Sequence, residues 1–179
     1  MKTINNYKLF EFLKQDPGLQ EKYTKILMLS PAKETASELW ELEFVTVFDF
    51  VENGLKDIDF IVELVSKLQG VDKSEVFGMR IVDFFPLVKH IKSQREKTIK
   101  ALKSLSSTGE TNIKWEIVKG SERMSKYGVF NFTIPIAEQF SKTPGEVEKM
   151  SFGEVFAIKS YNGALSKIQK EMSEIKIKA

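Results

Sequence analysis

The chain has 179 residues, 42% of them hydrophobic and 29% charged, with a formal net charge of +2, which is the balance of a folded globule of one or two small domains. It has no Cys and a single His, which excludes disulfides, thiolate metal sites and multi-histidine metal sites. The acids and bases are segregated: nine acids and one base (Lys56) lie between Glu34 and Glu63, and six bases and one acid (Glu96) between Lys89 and Lys103. Such asymmetry suits complementary faces within the fold, head-to-tail self-association, or an oppositely charged partner.

Residues 3–29 read as one or two short helices. Tyr7, Leu9, Phe10, Phe12 and Leu13 crowd one side, Asp16-Pro17-Gly18 makes a break, and Tyr23, Ile26, Leu27 and Leu29 recur at helical spacing up to Ser30-Pro31. Residues 32–39 read as a loop or short helix. The run 42–51 has the β-branched and aromatic content of a strand, yet Phe44, Val47, Phe48 and Val51 share one helical face. The helical reading is preferred, ending at Asn53-Gly54. A helix over 57–68 carries Phe60, Ile61, Leu64, Val65 and Leu68. Asp72 and Glu75 then form the capping-box pattern before a short helix over 73–78. The longest helix is predicted over 82–105, with Pro86 in its first turn, where no intrahelical bond is lost. His90 lies beside its apolar stripe and reads as a surface or boundary residue.

Ser106 to Thr111 has linker composition. Beyond it, Ile113, Trp115 and Ile117, and then Val129 to Ile134, alternate in hydrophobicity, which predicts a β-hairpin over 112–134. Pro135 is read as opening a helix to Phe140, a short helix follows Pro144, and a terminal helix runs over 152–175. The domain reading is a helical region 1–106 and a region 107–179 of hairpin and C-terminal helices, sharing one core.

An offset of 71 residues aligns Val71–Phe85 with Lys142–Phe156. Glu75, Val76, Met79, Asp83 and Phe85 meet Glu146, Val147, Met150, Glu154 and Phe156. Each copy reads as a helix, a capped short helix that sends Val and Met into the core, and a long helix. Asp83 and Glu154 sit in first turns, where a carboxylate favours the positive end of the helix dipole. The fold class is therefore mainly α, with a duplicated helix–short helix–long helix motif and one small hairpin.

Nothing in this pattern is chemical. There is no Gly-rich phosphate loop, no metal-ligand cluster and no nucleophile–base pair, so the chain is read as a non-enzyme with no cofactor. Ile136 to Val147 scans as a helix-turn-helix, but Glu146 and Glu148 stand where base edges and phosphates want Arg or Lys. The bases Lys89, Lys92, Arg95, Lys97, Lys100 and Lys103 are the candidate partner-contacting stripe. No apolar run approaches the ~20 residues of a membrane span, and the N-terminus lacks the apolar core of a signal peptide.

Two stretches resemble phage tail assembly chaperones: Leu68 to Val76 followed by Met79, Ile81 and Asp83-Phe84, and Ile136 to Phe140 continuing through Thr143 to Met150. The resemblance covers roughly 60–95 and 134–165. It implies a non-enzymatic assembly factor of the host cytoplasm that keeps a tape-measure or other tail protein soluble, with a homo-oligomer also compatible. A structural component of the virion and a DNA-binding protein are the alternatives.

Overall fold

The computed structural model describes residues 6–55, 57–106 and 116–175. In these residues the protein is mainly helical, and its only β pairings are two isolated bridges. The helices are α1 (Leu9–Phe12), α2 (Pro17–Leu27), α3 (Phe44–Asn53), α4 (Ile58–Gln69), α5 (Lys73–Gly78), α6 (Ile81–Ser106), α7 (Gly120–Ser125), α8 (Phe130–Phe140), α9 (Pro144–Glu148) and α10 (Phe152–Glu174). The chain divides into two compact units, one of residues 1–39 and 50–97, the other of residues 40–49 and 98–179, so α3 and α6 each contribute to both.

In the first unit, the Asp16-Pro17-Gly18 break is also a helix start. Asp16 accepts hydrogen bonds from Gly18 N and Leu19 N, and Pro17 opens α2 where its missing N–H costs nothing. Of the apolar stripe read on α2, only Leu27 is buried, while Ile26 and Leu29 are exposed. Asp57 caps α4 through Phe60 N at 2.8 Å, and Gly70 ends it at φ +65°, a left-handed cap that suits glycine. Val62, Leu64, Val65 and Leu68 of α4 are fully buried. The segment between α2 and α3 is held by hydrogen bonds: Lys33 N to Pro86 O at 3.1 Å, Ser37 N to Leu68 O at 2.9 Å, and Leu39 N to the buried Gln94 Oε1 at 2.8 Å. Pro86 lies farther inside α6 than the sequence suggests, because the helix already begins at Ile81.

In the second unit, residues 42–49 are helical from Phe44 on, with Phe44 and Val47 buried as the helical stripe predicts. Phe44 packs against Phe48, Phe132 and Phe152 at centroid distances of 5.7, 5.8 and 5.7 Å. Trp40 packs edge-on against Phe152 and Phe156, at 5.4 and 4.8 Å. Gly153 permits this approach, since a Cβ there would stand 3.2 Å from Trp40 O.

The predicted hairpin over 112–134 is corrected for residues 116–134, which are helix and turn; residues 112–115, like the linker residues 107–111, lie outside the described residues. Besides Asn131, the buried or half-buried positions are Val129, Phe132, Thr133, Ile136 and Ala137, a helical spacing that runs through Pro135. The apparent alternation arose because Phe130 and Ile134 are apolar yet exposed, at 45% and 42%. Pro135 therefore does not open a helix but sits inside α8, where it cannot donate to Asn131 O. The Nζ of the half-buried Lys159, from α10, donates to that carbonyl at 3.2 Å instead. Burial holds the Lys159 ammonium below its ordinary pKa.

Candidate partner-binding surfaces

The predicted basic stripe divides once its contacts are known. Lys89 Nζ donates to Ser30 O at 2.8 Å. Arg95 Nε donates to Phe50 O at 2.9 Å, its Nη2 donates to Val51 O, and its guanidinium lies over the Phe50 ring. It thus satisfies carbonyls at the C-terminus of α3, where a cation also suits the helix dipole. Lys92 and Lys97 in the first unit, and Lys100 and Lys103 in the second, are exposed. His90 is half-buried, with Nε2 4.0 Å from Glu38 Oε1.

The motif residues are structural in their contacts. Val76 and Val147 are fully buried in their short helices. The carbonyl of the half-buried Met79 accepts from Leu9 N at 2.8 Å, and that of the half-buried Met150 accepts from Phe44 N at 2.7 Å. Glu75 Oε1 accepts from Asp72 N at 3.4 Å. Glu146 and Glu154 make full capping boxes with Thr143 and Ser151, each accepting from the cap N–H and hydroxyl while its own N–H donates back. The backbone N–H of Thr143, then its hydroxyl, holds the Glu146 carboxyl below the usual range; the Ser151 hydroxyl, then its N–H, does the same for Glu154. Asp83 is bridged by Arg80 Nε at 2.8 Å, Phe85 packs edge-on against Phe12 and Phe84, and Phe156 packs against Trp40.

The sequence reading missed an apolar cleft on the second unit. Met124, Tyr127, Phe130, Asn131, Ile134 and Pro135 surround a cavity of about 340 Å³, and Met124 and Tyr127 also border an adjoining one of about 280 Å³. Four of these side chains are exposed large apolar groups, with Met124 and Tyr127 at 40% and 46%. Their clustering, rather than their number, is what distinguishes them from scattered surface hydrophobics. The signal was present in the sequence: once 130–140 is a helix, Phe130 and Ile134 share a face one turn apart.

Among the described residues no group of three His, Asp or Glu is arranged to hold a metal, and no helix is long and apolar enough to cross a membrane. The helix-turn-helix reading has α9 as its recognition helix, which has only five residues. Compared with protein-family models, curated proteins and solved structures, the chain matches none.

Proposed function

We infer that this protein is a non-enzymatic assembly factor that holds an apolar helical segment of a structural protein, in the manner of phage tail assembly chaperones, before that protein is built into a larger particle. The observation that carries the reading is the apolar cleft on α7 and α8. Its volume suits a few aliphatic or aromatic side chains presented on a helix, and its rim of exposed Tyr127, Phe130 and Ile134 supplies amphipathic and apolar contact. The resemblance over residues 60–95 and 134–165 adds the chemical class of client, a long helical tape-measure or tail protein. Residence in the host cytoplasm goes with this reading.

The two helix triplets, α4–α5–α6 and α8–α9–α10, belong to the same proposal as copies of one motif. Two matched pairings support it. Tyr7–Leu9 bridges Met79–Ile81 through Ile81 N to Tyr7 O at 3.0 Å and Leu9 N to Met79 O at 2.8 Å. Leu42–Phe44 bridges Met150–Phe152 through Phe152 N to Leu42 O at 2.8 Å and Phe44 N to Met150 O at 2.7 Å.

The test is co-expression with the tape-measure protein of a tailed phage. The soluble fraction of that protein should rise, and the rise should be lost in the Phe130→Asp/Ile134→Asp variant, whose substitutions fall on exposed positions. A client whose solubility is unchanged by the wild-type chain would sink the reading.

A further inference from the structure

The second half of α10 carries a surface that the assembly reading does not use. From Gly163 to Glu174 every residue of the helix is exposed. An amide pair, Asn162 Nδ2 to Gln139 Oε1 at 2.8 Å, ties α8 to α10 just before this stretch. An unsupported helix shorter than ~12–15 residues is marginal in water, and Gly163 lowers its propensity further.

The apolar residues along α10 are not scattered. Ile158, Tyr161, Leu165, Ile168 and Met172 follow one another at spacings of three and four, which is the a/d seam of a left-handed coiled coil, and Ile175, the residue after the helix, continues the spacing. Tyr161, Leu165, Ile168, Met172 and Ile175 are 63%, 40%, 52%, 65% and 67% exposed.

We propose that this half of α10 is a homotypic coiled-coil seam, which pairs with the same segment of a second copy of the chain. Two features select a second copy over an unlike partner. Within the helix the flanking e and g positions are Asn162, Gln169, Ala157, Ala164 and Glu171, so only one carries a charge and parallel self-pairing in register sets no like charges opposite each other. A heteromeric zipper would take its specificity from charges at those positions. Leu165 at a followed by Ile168 at d is the order that lets such a pair recruit further copies. The inference is independent of the cleft and of its client.

Sedimentation equilibrium of the full chain, from low micromolar to near-millimolar concentration, tests it. The wild type should associate reversibly. The Leu165→Glu/Ile168→Glu variant should weaken association about a hundredfold or more, as loss of a buried anchor does, while Ser166→Glu, at an exposed position outside the seam, should leave it unchanged. Because the chain has no cysteine, Ile168→Cys gives a clean second readout: it should form a disulfide-linked dimer on oxidation, and Ser166→Cys should not. A chain that is monomeric throughout the range overturns the proposal. So does association that survives the double glutamate variant, or crosslinking that is equal at the two cysteine positions. Neither readout touches Phe130 or Ile134, so failure here leaves the client test standing.

Discussion

The two long helices begin alike and end differently. Both α6 and α10 follow a short helix with a buried valine, and both start one residue after a chain segment that bridges to an earlier part of the sequence. Along α6 the stripe is then covered: Phe84, Leu87, Val88, Ile91, Gln94 and Thr98 are all buried. On α10 Phe152 and Val155 are buried and Phe156 and Ile158 half-buried, whereas the apolar residues from Tyr161 on face solvent. The comparison teaches that entry into a helix is a local property, set by caps and one anchoring turn, whereas the fate of its apolar face depends on what the rest of the chain brings to it.

Ile91→Ser against Ile168→Ser probes that contrast most sharply. Ile91 is 1% exposed, so its replacement should cost about 3–4 kcal/mol, from lost burial plus a hydroxyl placed in the core. Chemical denaturation would measure it, and a cost under 1 kcal/mol would mean that α6 is not packed as described. Gln94→Ala should rank next, at about 1–3 kcal/mol, because it leaves the Leu39 N–H without its acceptor in a buried setting. Thr143→Ala and Ser151→Ala should each cost about 1 kcal/mol through loss of a cap. Ile168→Ser should change the stability of the monomer by no more than about 0.5 kcal/mol.

The caps also carry a pH signature. The Glu146 and Glu154 carboxyls have folded pKa values below their unfolded ones, so the stabilisation they contribute is complete above the ordinary glutamate range and is lost as pH falls through the folded values. Wild type should therefore lose stability on acidification more steeply than the Thr143→Ala/Ser151→Ala variant. Thermal melts across mildly to strongly acidic buffers would compare the two slopes, and parallel slopes would remove the capping boxes from the account.

Much of the fold was legible because its signals are local. The Asp72/Glu75 pattern, the Pro144 start and the stripe on 57–68 each depend on neighbours within a turn or two, and the helices fall where those signals put them. The sequence suggests a hairpin because Phe130, Phe132 and Ile134 mimic a two-residue period when two of them face outward, and because Pro135 resembles a helix boundary. The site residues divide for a similar reason. A list of bases cannot tell Lys92 from Arg95, since capture of Arg95 by Phe50 O spans 45 positions in sequence. The cleft needed the correct helix before Phe130 and Ile134 could be placed on one face.

The bond between Lys159 and the Asn131 carbonyl has a consequence for cooperativity. A helix interrupted by proline lacks one link of its own ladder, and here the missing donor arrives from α10, 28 residues later in the chain. The middle of α8 therefore reaches its full hydrogen bonding only when the first turns of α10 are in place. Opening of either stretch exposes the other's polar groups. Their amides should accordingly exchange with solvent deuterium as one unit, with a common opening free energy, while in the monomer the amides beyond Gly163 exchange faster and independently.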